Sequence, residues 1–265
     1  MWYSRFSLEG KVALITGGGR GIGRATALGL AEAGADVAVA SRKQSEIEKV
    51  AEEIKCLKRK SLAVAIDVGR MEDISKLVKT VRAEFSKIDI LVNNAGMYIG
   101  VDFLDAKGEA WDEEMGVNLK GAYFLAQAVA KVMKEHGGGA IINVSSINAF
   151  MPEATGGIYC ISKAGLVHAT RVMANELGQY KIRVNSIAPG YTHTEMTDQY
   201  LEAMPGLEDL YIKVTPLAHI AEPDEMVGAM IYLASDASSF VTGTTIVVDG
   251  GLTINGYGLV PGPQG

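Results

Sequence analysis

Short apolar runs rich in β-branched residues alternate along this chain with longer segments in which apolar residues recur at helical spacing. The runs that predict strands cover residues 12–16, 37–41, 62–67, 88–93, 140–145, 183–188 and 245–249. Helices are predicted near 22–33, 45–59, 72–86, 110–136, 159–179 and 223–235. The predicted strands are mostly apolar on both faces, as is typical of parallel strands covered on both sides. The pattern therefore predicts an α/β fold: a doubly wound parallel sheet with helices on both faces.

The alternation continues without a linker rich in proline or serine, so we predict one domain over residues 1–265. Segment 192–214 has no clear period, and we interpret it as a mobile substrate lid. Residues 256–265 are rich in glycine and proline and predict a loose or partner-wrapped tail. Segments 117–133 and 159–179 are apolar on more than one side, so we hypothesise that they also form a subunit interface.

Composition narrows the possible partners. The chain has 25 basic and 31 acidic residues, and the net charge of −6 disfavours nucleic acid as a partner. Cys56 and Cys160 are too few for a disulfide framework or a zinc site, and the four histidines lack metal-ligand spacing, so no metal is predicted. The N-terminus has no signal-peptide pattern and no apolar run reaches about 18 residues, which predicts a cytoplasmic protein without a membrane partner.

One acidic cluster, Asp112, Glu113 and Glu114, looks at first like a catalytic pair of carboxylates. We assign it instead to the start of a helix, where carboxylates interact favourably with the helix dipole.

A glycine-rich segment, residues 16–23, follows the first predicted strand directly and opens the first predicted helix. Glycines in such a turn let the backbone approach a pyrophosphate, and the helix N-terminus offers unpaired N–H groups. The spacing is G-x-x-x-G-x-G, and a plain turn is the alternative, but the strand–loop–helix context favours a dinucleotide site. The predicted cofactor contacts in this loop are Gly17, Gly19, Arg20, Gly21, Ile22 and Gly23.

The end of the second predicted strand bears on the choice between NAD and NADP. An acidic residue there would bind the ribose 2′-hydroxyl of NAD, whereas an arginine accommodates the 2′-phosphate of NADP. This chain has Ser41 and Arg42, with Arg20 and Lys43 as further positive charges, so NADP(H) is favoured over NAD(H). Asp67 and Val68 end the third strand, where the carboxylate either accepts the adenine amino group or only starts a turn.

Tyr159 and Lys163 carry the candidate chemistry. They are four residues apart on a predicted helix and therefore share one face, about 6 Å apart along the axis. A phenol with a pKa of about 10 is a poor base at neutral pH, and a cation within roughly 4–6 Å lowers such a pKa by about 1–3 units. Ser146 lies thirteen residues before the tyrosine. With a hydride carrier present, this group would exchange a proton with an alcohol or ketone.

Together these residues resemble the short-chain dehydrogenases/reductases, a family of single-domain enzymes. The motifs are residues 16–23, Asn93-Asn94-Ala95-Gly96, Asn118, Ser146, Tyr159-Cys160-Ile161-Ser162-Lys163, and Pro189-Gly190 followed by Thr194. The resemblance runs from about residue 8 to residue 254. It implies a seven-stranded Rossmann sheet in the order 3-2-1-4-5-6-7 and a homotetramer. Thr192 and Ala149 depart from common residues of the family, which bears on pocket shape only.

The resemblance also implies roles. Tyr159 would be the proton donor or base, Lys163 would lower its pKa and bind the nicotinamide ribose, and Ser146 would polarise the substrate oxygen. Asn118 would hold a water that links Lys163 to solvent. The further cofactor contacts that it implies are Asn94, Ala95, Pro189, Gly190, Thr192 and Thr194.

The function that we predict is an NADP(H)-dependent oxidoreductase that transfers hydride between the nicotinamide and a ketone or secondary alcohol. Carbonyl reductase, 3-oxoacyl thioester reductase and sugar or polyol dehydrogenase remain open within that class. An NAD-dependent alcohol dehydrogenase and a non-catalytic dinucleotide sensor are the alternatives. Segment 192–214 carries five acidic residues against one lysine, which leans against a strongly acidic carrier protein as partner.

Overall fold

A computed structural model describes residues 2–255 of the chain, and a parallel sheet runs through its centre. The strands are β1 (Val12–Thr16), β2 (Asp36–Ser41), β3 (Ser61–Ala65), β4 (Ile90–Asn93), β5 (Gly139–Val144), β6 (Ile182–Pro189) and β7 (Thr245–Val248). The α-helices are α1 (Gly21–Glu32), α2 (Gln44–Cys56), α3 (Met71–Phe85), α4 (Gly108–Met115), α5 (Ala122–Glu135), α6 (Gly157–Leu177), α7 (Glu195–Ala203), α8 (Leu207–Val214) and α9 (Val227–Ala234). The predicted tail, residues 256–265, lies outside the described part.

The strands are ordered β3-β2-β1-β4-β5-β6-β7, and every neighbouring pair is parallel. The predicted seven-stranded, doubly wound sheet is therefore confirmed. The direction of winding reverses between β1 and β4. In sheets of this kind, the carboxyl ends of the strands at the reversal form the crevice in which ligands bind.

Strand alternation distributes the core over the two faces of the sheet. Ala13 and Ile15 of β1 pack in a cluster with α1, α2 and α9, whereas Leu14 between them packs in a second cluster with α3 and α5. Successive side chains of a strand point to opposite faces, so both faces of β1 are buried. Helix α2 buries Ile47, Val50, Ala51 and Ile54, and this i, i+3, i+4, i+7 spacing is one helical face.

The predicted helix over 110–136 is wrong in two respects. The helix begins earlier, at Gly108, and a π-helical turn (Gly116–Gly121) separates α4 from α5. The hydrophobic pattern does not reveal such a turn, because a single π turn is short and the helices on both sides of it keep their own helical spacing. The turn contains Asn118, and π turns often occur at functional sites.

The segment predicted as a lid, 192–214, has more regular structure than its pattern indicated. It contains the short helices α7 and α8, and the rings of Tyr191 and Tyr211 stack with centroids 3.4 Å apart. Two short amphipathic turns give too little periodicity for a prediction from pattern alone. Helix α7 lies at the crevice, since it begins directly after Thr194 and its first residues line the cleft.

Candidate active site

A cleft of about 410 Å³ opens at the carboxyl ends of the central strands. All predicted site residues except Asn118 line it: Gly17, Gly19, Arg20, Gly21, Ile22, Gly23, Ser41, Arg42, Asp67, Val68, Asn94, Ala95, Ser146, Tyr159, Lys163, Pro189, Gly190, Thr192 and Thr194. The sequence motifs thus converge on one cavity, although they are spread over more than 170 residues of the chain.

The glycine-rich loop between β1 and α1 requires glycine at two positions for different reasons. Gly17 has a φ of +64°, in the left-handed region that residues with a Cβ rarely adopt. At Gly23 a Cβ would lie 2.2 Å from the carbonyl oxygen of Gly17. The amide of Asn94 donates hydrogen bonds to the carbonyl oxygens of Thr16 and Gly17 at 3.0 and 3.1 Å, so the end of β4 holds the loop in place.

The N-terminus of α1 fits a pyrophosphate. No side chain of the described residues caps this helix, and its first turn contains no acidic residue. The N–H groups at its start are therefore available to an anion, and the positive end of the helix dipole favours one. The loop glycines themselves add no side chains to this end of the cleft, so the residues present suit a dinucleotide phosphate.

The positive charges expected near a 2′-phosphate differ in their availability. Arg20 forms an ion pair with Glu195 of α7, and Lys43 forms one with Glu46 at 3.0 Å. Arg42 is exposed, lines the cleft and forms no ion pair with any residue in 2–255. Of the three cations, Arg42 is therefore the one with its charge free for a ligand.

Asp67 both stabilises the turn after β3 and lines the cleft. Its Oδ1 accepts a hydrogen bond from the backbone N–H of Gly69 at 2.9 Å, which is the turn that follows β3. The same residue lines the cleft. The strand itself ends at Ala65, two residues before the predicted end.

Tyr159 and Lys163 lie on one face of α6 at the inner end of the cleft. The buried Lys163 Nζ donates a hydrogen bond to the carbonyl oxygen of Val144 at 2.9 Å and lies 5.4 Å from the ring centre of Tyr159. Burial lowers the pKa of Lys163 to about 8, while the charge of Glu114 acts the other way. At neutral pH the amine is therefore mostly charged.

Ser146 and Tyr159 line the same end of the cleft, and Ser146 is close enough to Tyr159 to affect the pKa of the phenol. Burial raises the pKa of Tyr159, and Ser146 acts in the opposite direction. Ser146 is oriented by its place at the start of a 3-10 turn, because its Oγ accepts the backbone N–H of Asn148 at 3.1 Å. The phenol of the free protein thus holds its proton, and the expected effect of Lys163 on its pKa stays a prediction.

Asn118 does not line the cleft but lies directly behind it. Its Oδ1 accepts the backbone N–H of Met97, and its Nδ2 donates to the carbonyl oxygen of Met97, both at 2.8 Å. A Cβ added at Gly96 would lie 3.3 Å from Nζ of Lys163 and 3.4 Å from Oδ1 of Asn118, so the two groups flank the same glycine. Asn118 therefore lies close to Lys163, next to the backbone of Gly96.

Glu114 is a feature of the site that the sequence interpretation missed. The assignment of Asp112–Glu114 to a helix start is wrong, because α4 begins at Gly108 and Glu114 is fully buried. Neither carboxylate oxygen has a hydrogen-bond partner of normal geometry among the described residues. Burial raises the pKa of Glu114 to about 7, whereas the backbone of Ile99 and the charge of Lys163 act the other way. One signal was available: Glu114 lies four residues before Asn118, on the same helical face.

A second missed feature is a chain of buried polar side chains beneath the site. The amide of Asn93 donates to Oδ1 of Asn143 at 2.9 Å, and the amide of Asn143 donates to Oγ1 of Thr170 at 2.8 Å. The Thr170 hydroxyl donates in turn to the carbonyl oxygen of Leu166. This chain ties β4 and β5 to α6 and so orients the helix that carries Tyr159.

The outer end of the cleft is formed by the segment after β6. Thr192 is buried and forms a parallel bridge with Ala221, while the Thr194 Oγ1 accepts the backbone N–H of Thr197 at 3.3 Å and caps α7. The ion pair between Arg20 and Glu195 joins this segment to the glycine-rich loop across the cleft. A glycine-rich loop at the sheet reversal, with a serine, a tyrosine and a lysine at the end of its cleft, defines a dinucleotide-dependent oxidoreductase.

Known proteins agree with that class. The family model described as enoyl-(acyl carrier protein) reductase matches residues 17–253. The chain is 39% identical to 2-dehydro-3-deoxy-D-gluconate 5-dehydrogenase of Escherichia coli (strain K12), over 95% of this chain and 98% of that protein. It is 40% identical to L-rhamnose 1-dehydrogenase (NAD(P)(+)) of Azotobacter vinelandii, over 92% of this chain and 97% of that protein.

A solved structure is equally similar. The gluconate 5-dehydrogenase from Burkholderia cenocepacia J2315, in complex with NADP and tartrate, superimposes with a TM-score of 0.90 at 37% identity, covering 95% of this chain and 98% of that one. The chain belongs to the short-chain dehydrogenase/reductase family. It is an enzyme that uses a nicotinamide dinucleotide to oxidise or reduce CH–OH and C=O groups.

Two further features of the described residues bear on partners. Within residues 2–255 no helix is long and apolar enough to cross a bilayer. The same residues contain no group of three or more His, Cys, Asp or Glu side chains that would hold a metal ion.

Proposed function

We propose that the chain is an NADP(H)-preferring dehydrogenase of sugars or polyols in which Tyr159 exchanges the proton. The observation that carries the proposal is the grouping of Ser146, Tyr159 and Lys163 at the end of a cleft that suits a dinucleotide, with Nζ of Lys163 5.4 Å from the ring centre of Tyr159. When bound, the nicotinamide supplies or accepts the hydride. The named relatives support a sugar-type substrate, since two act on sugar acids and one on L-rhamnose.

In the proposed reduction, the substrate carbonyl oxygen accepts hydrogen bonds from Ser146 and Tyr159. Both hydroxyls stabilise the charge that develops on this oxygen, and Tyr159 donates its proton to it. Lys163 keeps a positive charge near the phenol and favours release of that proton. In the oxidation the steps run in reverse, and Tyr159 accepts the proton of the alcohol. Asn118 is held by two hydrogen bonds to the backbone of Met97. In this position it would bind a water through which a proton passes between Lys163 and solvent.

The proposed preference for NADP(H) rests on Arg42, whose charge no neighbour within 2–255 neutralises. Asp67 and Val68 would contact the adenine, while Pro189, Gly190, Thr192 and Thr194 would contact the nicotinamide end. The NADP in the Burkholderia structure supports the same choice.

The decisive experiment replaces the proton donor alone. Tyr159→Phe removes one hydroxyl and keeps the ring, so we expect unchanged NADPH affinity and a loss of kcat of at least about a thousandfold. Tyr180→Phe, at the far end of α6, is the matched control and should retain full turnover. NADPH fluorescence titration measures binding, and absorbance of NADPH measures turnover with ketones and polyols. A Tyr159→Phe enzyme with near-normal kcat would refute the assignment.

We also propose that residues 1–265 form one domain, that segment 192–214 closes over the substrate, and that the enzyme is a cytoplasmic homotetramer. Exposed apolar side chains near α4 and on α6 support an interface: Phe103, Leu104, Trp111 and Ile161. Sedimentation velocity at micromolar concentration tests the assembly, and a monomer there would contradict it.

A further inference from the structure

Next to Tyr159, outside the residues that line the dinucleotide cleft, aromatic rings form a second wall. The ring of Tyr98 lies 5.5 Å from that of Tyr159, edge to face, and 6.3 Å from the ring of Tyr200 in α7. The Tyr98 hydroxyl is 3.3 Å from Oγ1 of Thr155. Two elements thus place tyrosines near the proton donor: the loop after β4 carries Tyr98, and helix α7 carries Tyr200.

One carboxylate, Glu153, belongs to this wall. It is half-buried on the loop between Ser146 and α6, and its Oε2 accepts a hydrogen bond from Nδ2 of Asn148 at 2.5 Å. A Cβ added at Gly156 would lie 3.1 Å from the ring of Tyr98 and 3.7 Å from Cβ of Glu153, so the two side chains flank the same glycine. Asn148 holds one carboxylate oxygen, and the other accepts no hydrogen bond from residues 2–255.

The charge of Glu153 acts on Tyr159 and on three other tyrosines of this region. Burial raises the pKa of Tyr98, Tyr159, Tyr191 and Tyr211, and the negative charge of Glu153 raises the pKa of each of them further. No lysine or arginine of the described residues contributes to these four shifts. Glu153 therefore places a negative charge beside the ring of Tyr98, which in turn packs against Tyr159.

A wall of aromatic rings and one carboxylate favours the binding of some substrates and disfavours that of others. A carboxylate accepts strong, charge-assisted hydrogen bonds from hydroxyl groups, and aromatic rings pack against the C–H faces of a sugar or polyol. A substrate carboxylate would meet a like charge in a partly desolvated pocket, where repulsion is stronger than in water.

We propose that the substrate is a neutral sugar or polyol, that Glu153 accepts a hydrogen bond from one of its hydroxyl groups, and that the same carboxylate excludes sugar acids. This inference rests on the proposed function. It separates the chain from the relatives named for gluconate-type substrates and makes Glu153 a residue that determines specificity.

The test compares matched pairs of probes that differ in one terminal group. Xylitol, D-glucitol, D-mannitol and D-arabinitol are assayed with NADP⁺ beside the corresponding aldonates, together with D-glucamine as a cationic probe. We expect kcat/KM for at least one polyol to exceed that for its aldonate by at least about tenfold. Preference for an aldonate, or for D-glucamine over every neutral polyol, would overturn the inference while leaving the proposed function intact. If no alcohol and no matching ketone is turned over, the proposed function itself fails.

Variants then assign the preference to one side chain. Glu153→Gln retains an oxygen for Asn148 and removes the charge, so kcat/KM for the preferred polyol should fall at least about tenfold, while that for the aldonate stays equal or rises. Glu153→Arg should favour the aldonate. Glu176→Gln, an exposed acid on α6, is the matched control and should leave the ratio unchanged. Equal losses for both probes in Glu153→Gln would refute the assignment, and an unchanged NADPH affinity shows that the variant is folded.

Discussion

The buried carboxylate of Glu114 gives the sharpest test of the site's electrostatics. Its pKa is raised from 4.5 to about 7 because burial disfavours the charged form. An acid whose pKa is higher in the folded than in the unfolded state lowers the free energy of unfolding as the pH rises above the unfolded-state pKa, because the unfolded chain releases its proton first. The penalty is absent below about pH 4.5, grows through the interval up to pH 7, and is complete above it. Glu114→Gln keeps the shape of the side chain and does not titrate.

The magnitude follows from the two pKa values. A shift from 4.5 to about 7 corresponds to a loss of about 3 kcal/mol in the free energy of unfolding at pH 8, but only about 1 kcal/mol at pH 5. The substitution also removes the charge that supports ionised Lys163, which offsets part of the gain at pH 8. We therefore expect the stability of Glu114→Gln relative to wild type to be about 2 kcal/mol more favourable at pH 8 than at pH 5.

Urea unfolding followed by circular dichroism, at one fixed protein concentration and at both pH values, measures this difference. Glu113→Gln is the matched control, because Glu113 is the exposed neighbour on the same helix and should show no such pH dependence. The cost of burying the glutamine amide is the same at both pH values, so it cancels when the two measurements are subtracted. Equal effects of Glu114→Gln at pH 5 and pH 8, or a larger gain at pH 5, would show that burial does not raise the pKa of Glu114 in the folded protein.

Two other predictions concern the cofactor cleft. Gly23→Ala should weaken NADPH binding at least tenfold and lower the free energy of unfolding by about 1–3 kcal/mol, because the new methyl group would overlap a backbone carbonyl of the loop. Fluorescence titration and urea unfolding measure both effects, and Gly178→Ala, whose added Cβ meets no atom within 4 Å, should show neither. Arg42→Asp should lower the ratio of kcat/KM for NADP⁺ to that for NAD⁺ at least tenfold, since an acid there repels a 2′-phosphate and accepts a ribose hydroxyl. Steady-state kinetics with both cofactors would contradict this if the ratio stayed constant.

The sheet and the convergence of the motifs followed from the sequence because their physical causes are local. The strands are buried on both faces, so they appear as continuous apolar runs, and residues that end parallel strands must meet at one edge of the sheet. For that reason Gly17, Asn94, Ser146 and Thr192 line the same cleft.

The features that the sequence did not predict depend on tertiary contacts. The π turn at Asn118 accompanies two hydrogen bonds to the backbone of Met97, a residue twenty-one positions away. The burial of Glu114 depends on how α4 packs against α6, and acidic residues are almost never fully buried without a partner. A prediction based on residue type therefore places Glu114 on the surface.

Glu114 and Glu153 act on Tyr159 from different surroundings, and this difference separates their roles. Both charges raise the pKa of Tyr159, after burial, but Glu114 also supports the positive charge of Lys163. Its field therefore has two opposing effects on the phenol: it disfavours the phenolate directly and favours it through the amine. Glu153 has no cation beside it in the described structure, so its effect on the phenol is of one sign, and its free oxygen is available to a substrate hydroxyl. The charge of Glu114 thus acts on both Tyr159 and Lys163, whereas Glu153 acts on the phenol and is the acid that we propose for the choice of substrate.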